Sequence, residues 1–123
     1  VVCSDHAPVD EDAKQVPFAE AEPGATGLEL LLPLTLKWAQ EDGIALPAAL
    51  ARITSEPAKL IGGGAGDLAV GRAADVCVFD PTAYWKVERA SLRSQGKNTP
   101  FLGLEVPGKV RFTLVAGQFV HEP

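Results

Sequence analysis

Ser4-Asp5-His6 is the first place where the chain offers groups that do chemistry. A carboxylate beside an imidazole can take up and return protons, and both are metal ligands. The pair follows Val1-Val2-Cys3 directly, a β-branched, apolar run that predicts a buried strand. In parallel α/β sheets and barrels chemistry gathers at the carboxyl ends of strands, because the connecting loops converge there. Asp5 is therefore a candidate functional residue. The alternative is a turn cap, with Ala7-Pro8 forcing extended backbone. Asp10-Glu11-Asp12 form a second acidic group. As metal ligands they would want a glycine-shaped loop of the calcium-hand kind; as a charge run they read as a solvated face.

Those residues must be held by a core, and 123 residues with 46% apolar content are enough for one modest domain. A net charge of -5 without a basic run excludes a nucleic-acid or anionic-membrane surface. Two cysteines, Cys3 and Cys77, make no disulfide framework or zinc knuckle and are expected as small buried hydrophobes. The longest apolar run, Leu28 to Trp38, is broken by Glu29, Pro33 and Lys37 and is too short to span a bilayer. There is no methionine, and residue 1 already reads as strand, so a piece of a longer chain is expected. No signal peptide is in view, which makes the cytoplasm the expected compartment.

Val9 to Thr26 reads as a long irregular loop of the kind that carries binding residues. Apolar residues at helical spacing predict a helix over 27–41, stopped at Asp42-Gly43, with Pro33 early enough to be tolerated. A second helix starts near Pro47. Ser55-Glu56-Pro57 predicts a cap with proline at the first position of a short third helix, ending at Gly62-Gly63-Gly64. The lysine and Ser/Thr of a phosphate loop do not follow those glycines. From Asp67 the texture turns to strands: Asp75 to Asp80, Lys109 to Ala116, and Gln118 to His121 after a hairpin turn at Ala116-Gly117. Tyr84 to Pro107 reads as a long excursion between them, and both halves leave open edges.

Taken in order, Ser4-Asp5-His6-Ala7-Pro8, Gly24-x-x-Gly27-Leu28-Glu29, Glu56-Pro57-Ala58, Gly71-x-x-Ala74-Asp75-Val76, Phe79-Asp80-Pro81, Gly96-Lys97-Asn98-Thr99-Pro100-Phe101-x-Gly103 and the Gly108 to Val120 hairpin form a distinctive series. The series resembles the C-terminal third of class I dihydroorotases, over essentially the whole chain. The resemblance implies an α/β fold: the C-terminal fragment of a TIM-barrel metal-dependent hydrolase plus part of a small β-sandwich. Residues 1–62 would be the last barrel strand, active-site loop and closing helices, and residues 63–123 the C-terminal share of the sandwich. It implies zinc-dependent, reversible cyclisation of N-carbamoyl-L-aspartate to dihydroorotate in pyrimidine synthesis.

By the same match Asp5 is metal ligand and proton shuttle, and Pro23 and Gly24 offer backbone groups to the dihydropyrimidine ring. The family's zinc histidines lie upstream in the barrel, so His6 is expected to make a supporting hydrogen bond. His121 is expected to be exposed, and Trp85 and Phe101 to pack between sandwich and barrel. A homo-oligomer is implied. Active members carry Asp-His-Ala-Pro-His, whose second histidine helps hold a substrate carboxylate; here that position is Val9. Its loss would remove a charge-assisted bond of roughly 1.5 to 3 kcal/mol. The family also contains inactive dihydroorotase-like chains that serve as structural partners of aspartate transcarbamoylase, which is the alternative function. Another cyclic amidohydrolase, of allantoinase or hydantoinase type, is a further alternative, since similar Gly-Lys-Asn-Thr-Pro-Phe segments occur there.

Overall fold

The computed structural model describes residues 1–62 and 64–122. It contains three α-helices, α1 Leu31–Glu41, α2 Leu46–Ala51 and α3 Ser55–Ile61, followed by three strands, β1 Val76–Lys86, β2 Glu105–Val115 and β3 Gln118–His121. The sheet is antiparallel throughout, with β2 in the centre.

A 3-10 turn over Leu28–Leu30 runs directly into α1. Pro33 is the third residue of α1, where its missing N–H would have had no intrahelical partner anyway. Beyond Asp42, Gly43 takes a left-handed φ of 66° and Ile44 N–H bonds back to the Ala39 carbonyl at 2.8 Å, which ends the helix at the expected place. In α3 the expected cap is displaced: Ser55 is already helical, Thr54 stands before it without a side-chain cap bond, and Pro57 is the third residue. That position suits proline for the same reason as in α1. Gly62 closes α3 with φ 70°, and Gly63 of the glycine cluster lies outside the described residues.

Pro33, Thr35, Leu36 and Ala39 are the buried face of α1, which packs on β2. Gly108 of β2 makes this approach possible, because a β-carbon there would run into Leu36. The adjoining core is Leu30, Val87, Leu92 and Val106, with Leu34, Trp85 and Leu104 against it. Each such aliphatic side chain removed from water contributes about 2 kcal/mol.

The strands are longer than the alternation predicts. Tyr84, Trp85 and Lys86 pair with Pro107, Val106 and Glu105, so both ends of the expected excursion are sheet. The pairing slips between Asp80 and Tyr84, around Pro81, which has no N–H to give the ladder. There the Asp80 carboxylate accepts from the Thr82 N–H at 2.9 Å and hydroxyl at 2.8 Å. The β2–β3 turn has positive φ at both Ala116 and Gly117, as a type I′ hairpin turn requires. It is tied to the segment before β1, since the Ala116 N–H donates to the Asp75 carboxylate at 2.7 Å and the Gly117 N–H to the Ala74 carbonyl at 3.0 Å.

Three expectations are corrected. Val1-Val2-Cys3 forms no strand: a strand needs a neighbour for its backbone, and among the described residues the one backbone-to-backbone bond of this segment is from Val2 N–H to the Arg52 carbonyl. Cys3 and Cys77 are exposed thiols rather than buried ones. His121 is half-buried, because it pairs with Thr113 in the sheet.

Candidate active site

Three loops that lie far apart in sequence meet at one place: Ser4 to Val9, Pro23 to Leu28, and Gly96 to Asn98. Their contacts are mostly backbone, which fixes them without a large core. Ala7 N–H donates to the Ala25 carbonyl at 3.0 Å, and Thr26 N–H to the Asn98 carbonyl at 2.7 Å. The Thr26 hydroxyl, fully buried, donates to the Gly96 carbonyl at 2.6 Å. The Asn98 side-chain amide donates to the Gly24 carbonyl at 3.2 Å.

Glycines allow the loops to come this close. A β-carbon on Gly24 would stand 2.5 Å from the Ala7 carbonyl oxygen and 2.9 Å from a Val9 methyl, and one on Gly27 would stand 2.7 Å from the Ser4 carbonyl oxygen. Gly96 is similarly confined by Pro8. Gly24 also has φ 125°, a conformation open to glycine.

Asp5 is exposed and has φ 44°. Left-handed backbone at a residue other than glycine is uncommon, although aspartate tolerates it better than most, and such residues cluster at functional sites. His6 is half-buried, and its Nδ1 accepts from both Gly27 N–H (3.1 Å) and Leu28 N–H (3.2 Å). Two donors on Nδ1 require a lone pair there, so the neutral ring carries its proton on Nε2. His6 thus braces the start of the Leu28–Leu30 turn. Val9 is buried and lies against Gly24. An apolar contact fills the position where the resemblance expects a substrate-holding histidine.

The structure therefore brings Asp5, His6, Pro23 and Gly24 into one loop cluster. Asp10-Glu11-Asp12 lie outside it: Glu11 is paired with Arg89, and Asp12 opens a 3-10 turn through Lys14. Among the described residues no group of three or more His, Cys, Asp or Glu could hold a metal ion. Zinc takes three or four protein ligands, and the described residues bring no such set together.

Thr26, Asn98 and Glu29 are the positions that motif reading did not single out for a role. The Glu29 carboxylate accepts from Arg93 N–H (2.7 Å) and Ser94 N–H (2.6 Å), tying the turn before α1 to the segment leading into Gly96. Trp85 donates its indole N–H to the Gly108 carbonyl at 3.2 Å. Phe101 lines an apolar groove of about 380 Å³ with Val2, Leu31, Leu34 and Trp38.

The sequence profile of the amidohydrolase family matches residues 25–121. The chain belongs to the amidohydrolase family. Among curated relatives, this amidohydrolase chain is 46% identical over 121 residues to a dihydroorotase-like protein of Pseudomonas aeruginosa, covering 98% of the chain and 28% of that protein. It is 42% identical, with the same coverage, to a dihydroorotase of Geobacter sp. strain M21. The chain thus spans a little over a quarter of these relatives' length. Among solved structures it matches the dihydropyrimidinase of Brevibacillus agri with a TM-score of 0.87 and 26% identity, covering 96% of the chain and 27% of that structure. The loop cluster around Asp5 is therefore part of an amidohydrolase fold. No helix among the described residues is long and apolar enough to cross a membrane.

Proposed function

We propose that this chain is the C-terminal part of a dihydroorotase, which catalyses zinc-dependent, reversible cyclisation of N-carbamoyl-L-aspartate to dihydroorotate in pyrimidine synthesis. The observation that carries the reading is the loop cluster itself: the Asp5-His6 loop and the Pro23-Gly24 turn are hydrogen-bonded into one unit. The relatives named dihydroorotase, 42% identical in the Geobacter case, support it. In this reading residues 1–62 close a TIM barrel and residues 63–123 contribute to a β-sandwich.

Ring closure forms a bond from the carbamoyl nitrogen to the side-chain carboxyl carbon, breaks a C–O bond and releases water. A base must take the proton from nitrogen and an acid must deliver one to the departing oxygen, and one carboxylate can do both in turn. Asp5 has that role here, and its exposure leaves it open to substrate. Asp5 also contributes one metal ligand, with the others outside this chain. Pro23 and Gly24 present backbone groups to the ring, and His6 holds the loop through its two accepted bonds. The protein would work in the cytoplasm as a homo-oligomer.

Val9 favours a second reading. Its burial against Gly24 leaves no imidazole for an anionic substrate, and the Pseudomonas relative is named dihydroorotase-like. On this reading the protein is a non-catalytic subunit that supports aspartate transcarbamoylase. Dihydroorotate turnover by the intact zinc-loaded protein separates the two: the first reading expects it, and the second expects none, with co-elution with the transferase instead.

A further inference from the structure

The Pro23–Leu28 segment is held from two sides. On one side Ala7 N–H takes the Ala25 carbonyl, while His6 takes the N–H groups of Gly27 and Leu28. On the other, a segment more than 70 residues later supplies three bonds: Asn98 side chain to the Gly24 carbonyl, Asn98 carbonyl to Thr26 N–H, and Gly96 carbonyl to the Thr26 hydroxyl. Asn98 is the only residue of that later segment whose side chain reaches Gly24 among the described hydrogen bonds. It clasps the turn at both Gly24 and Thr26, so it sets the orientation of the peptide planes between them. Among the described hydrogen bonds the Ala25 N–H, which shares a peptide plane with the Gly24 carbonyl, has no partner, which leaves it available to a ligand carbonyl.

We propose that Asn98 is a positioning residue: it holds the Gly24 carbonyl and thereby aims the Gly24–Ala25 peptide at a carbonyl of a cyclic ureide-type ring. The inference rests on the reading that the Pro23–Gly24 turn faces substrate. It assigns a task to the Gly-Lys-Asn segment: the β part of the chain reaches across to tune the substrate-facing turn. A turn held on one side only would keep its His6 bonds and lose its set at Gly24.

The test uses the intact, full-length protein with Asn98→Ala, which removes the side-chain donor, and Asn98→Asp, which keeps the shape and replaces the donor by an acceptor. Amide hydrogen exchange is followed at Gly24 to Leu28, and KM and kcat are measured with dihydroorotate. The expected result is exchange at least about tenfold faster at the Thr26 N–H, which the Asn98 carbonyl holds, in both variants, with protection elsewhere unchanged. KM should rise about tenfold, the order expected for one lost hydrogen bond of this kind, while kcat changes less than twofold. Unchanged exchange in the Asp variant overturns the inference whether or not the protein turns over dihydroorotate. Faster exchange with an unchanged KM also overturns it, because the clasp would then be structural only. If the parent protein neither binds nor converts dihydroorotate, the dihydroorotase reading fails. The exchange arm still decides whether Asn98 sets the turn.

Discussion

Gly24 is where an added β-carbon would come closest to backbone, and there a single carbon has two consequences. Gly24→Ala would set a β-carbon against the Ala7 carbonyl and require a side-chain-bearing residue at φ 125°. A loss of about 3 kcal/mol is expected in the intact protein, measured by urea unfolding. Thr26→Val keeps the shape of a buried side chain and removes the donor to the Gly96 carbonyl, so a loss of about 1 to 2 kcal/mol is expected by the same measurement. Asp80 gives a pH-dependent counterpart. Its carboxyl is held below the usual value chiefly by the Thr82 hydroxyl and then by the Thr82 N–H, with Arg111 adding to the effect. Because the folded value is depressed, the stabilisation is present above the unfolded value of 3.8 and is lost as pH falls through the folded one. Asp80→Asn should lower Tm at neutral pH, and the difference from the parent should shrink in acid. An equal difference at both pH values would contradict this. At this scale Asp5 and His6 were legible because they are adjacent and follow an apolar run. Asn98 and Thr26 were not, since a bond between residues 72 positions apart leaves no periodic trace in either segment.

The helix and hairpin were the legible elements, because their signals are local. Leu28, Leu31, Leu32, Thr35, Leu36 and Ala39 recur at helical spacing, and Ala116-Gly117 separates two strand-like runs by two residues. Ala116 occupies a left-handed position better suited to Asn or Gly. Ala116→Asn is expected to stabilise the hairpin by about 0.5 to 1 kcal/mol, seen as a raised Tm, with no change in the Asp75 bond to its backbone. Gly108 works in the opposite sense. Gly108→Ala would press on the nearly fully buried Leu36 and put a β-carbon at φ 90°, and should weaken the packing of α1 on β2, seen as a lowered Tm. The Val1-Val2-Cys3 strand was misjudged for a physical reason: composition reports a preference for strand, but only a neighbouring backbone makes one. The extension of β1 and β2 past Pro81 and Pro107 was hidden because proline interrupts the alternation that marks a strand.

The molecule as a whole leaves much apolar surface uncovered. Leu60, Ile61, Leu68 and Val70 are largely exposed, as are Phe119 and Val120 on the sheet. Surface of this kind is normally covered by other parts of a protein. Together with a chain that spans a little over a quarter of its relatives' length, it predicts that the 123 residues expressed alone show no dihydroorotate turnover, checked by a direct assay of the purified fragment. In the proposed function the loop cluster around Asp5 is the acid-base part of a dihydroorotase site. The most direct test is dihydroorotate turnover by the intact zinc-loaded protein and its Asp5→Asn variant. Turnover in the parent and a fall of about 10² to 10⁴ in kcat in the variant, assayed with zinc in excess and with its fold retained, is the predicted result. Equal turnover in both, or none in the fully zinc-loaded parent, would contradict it.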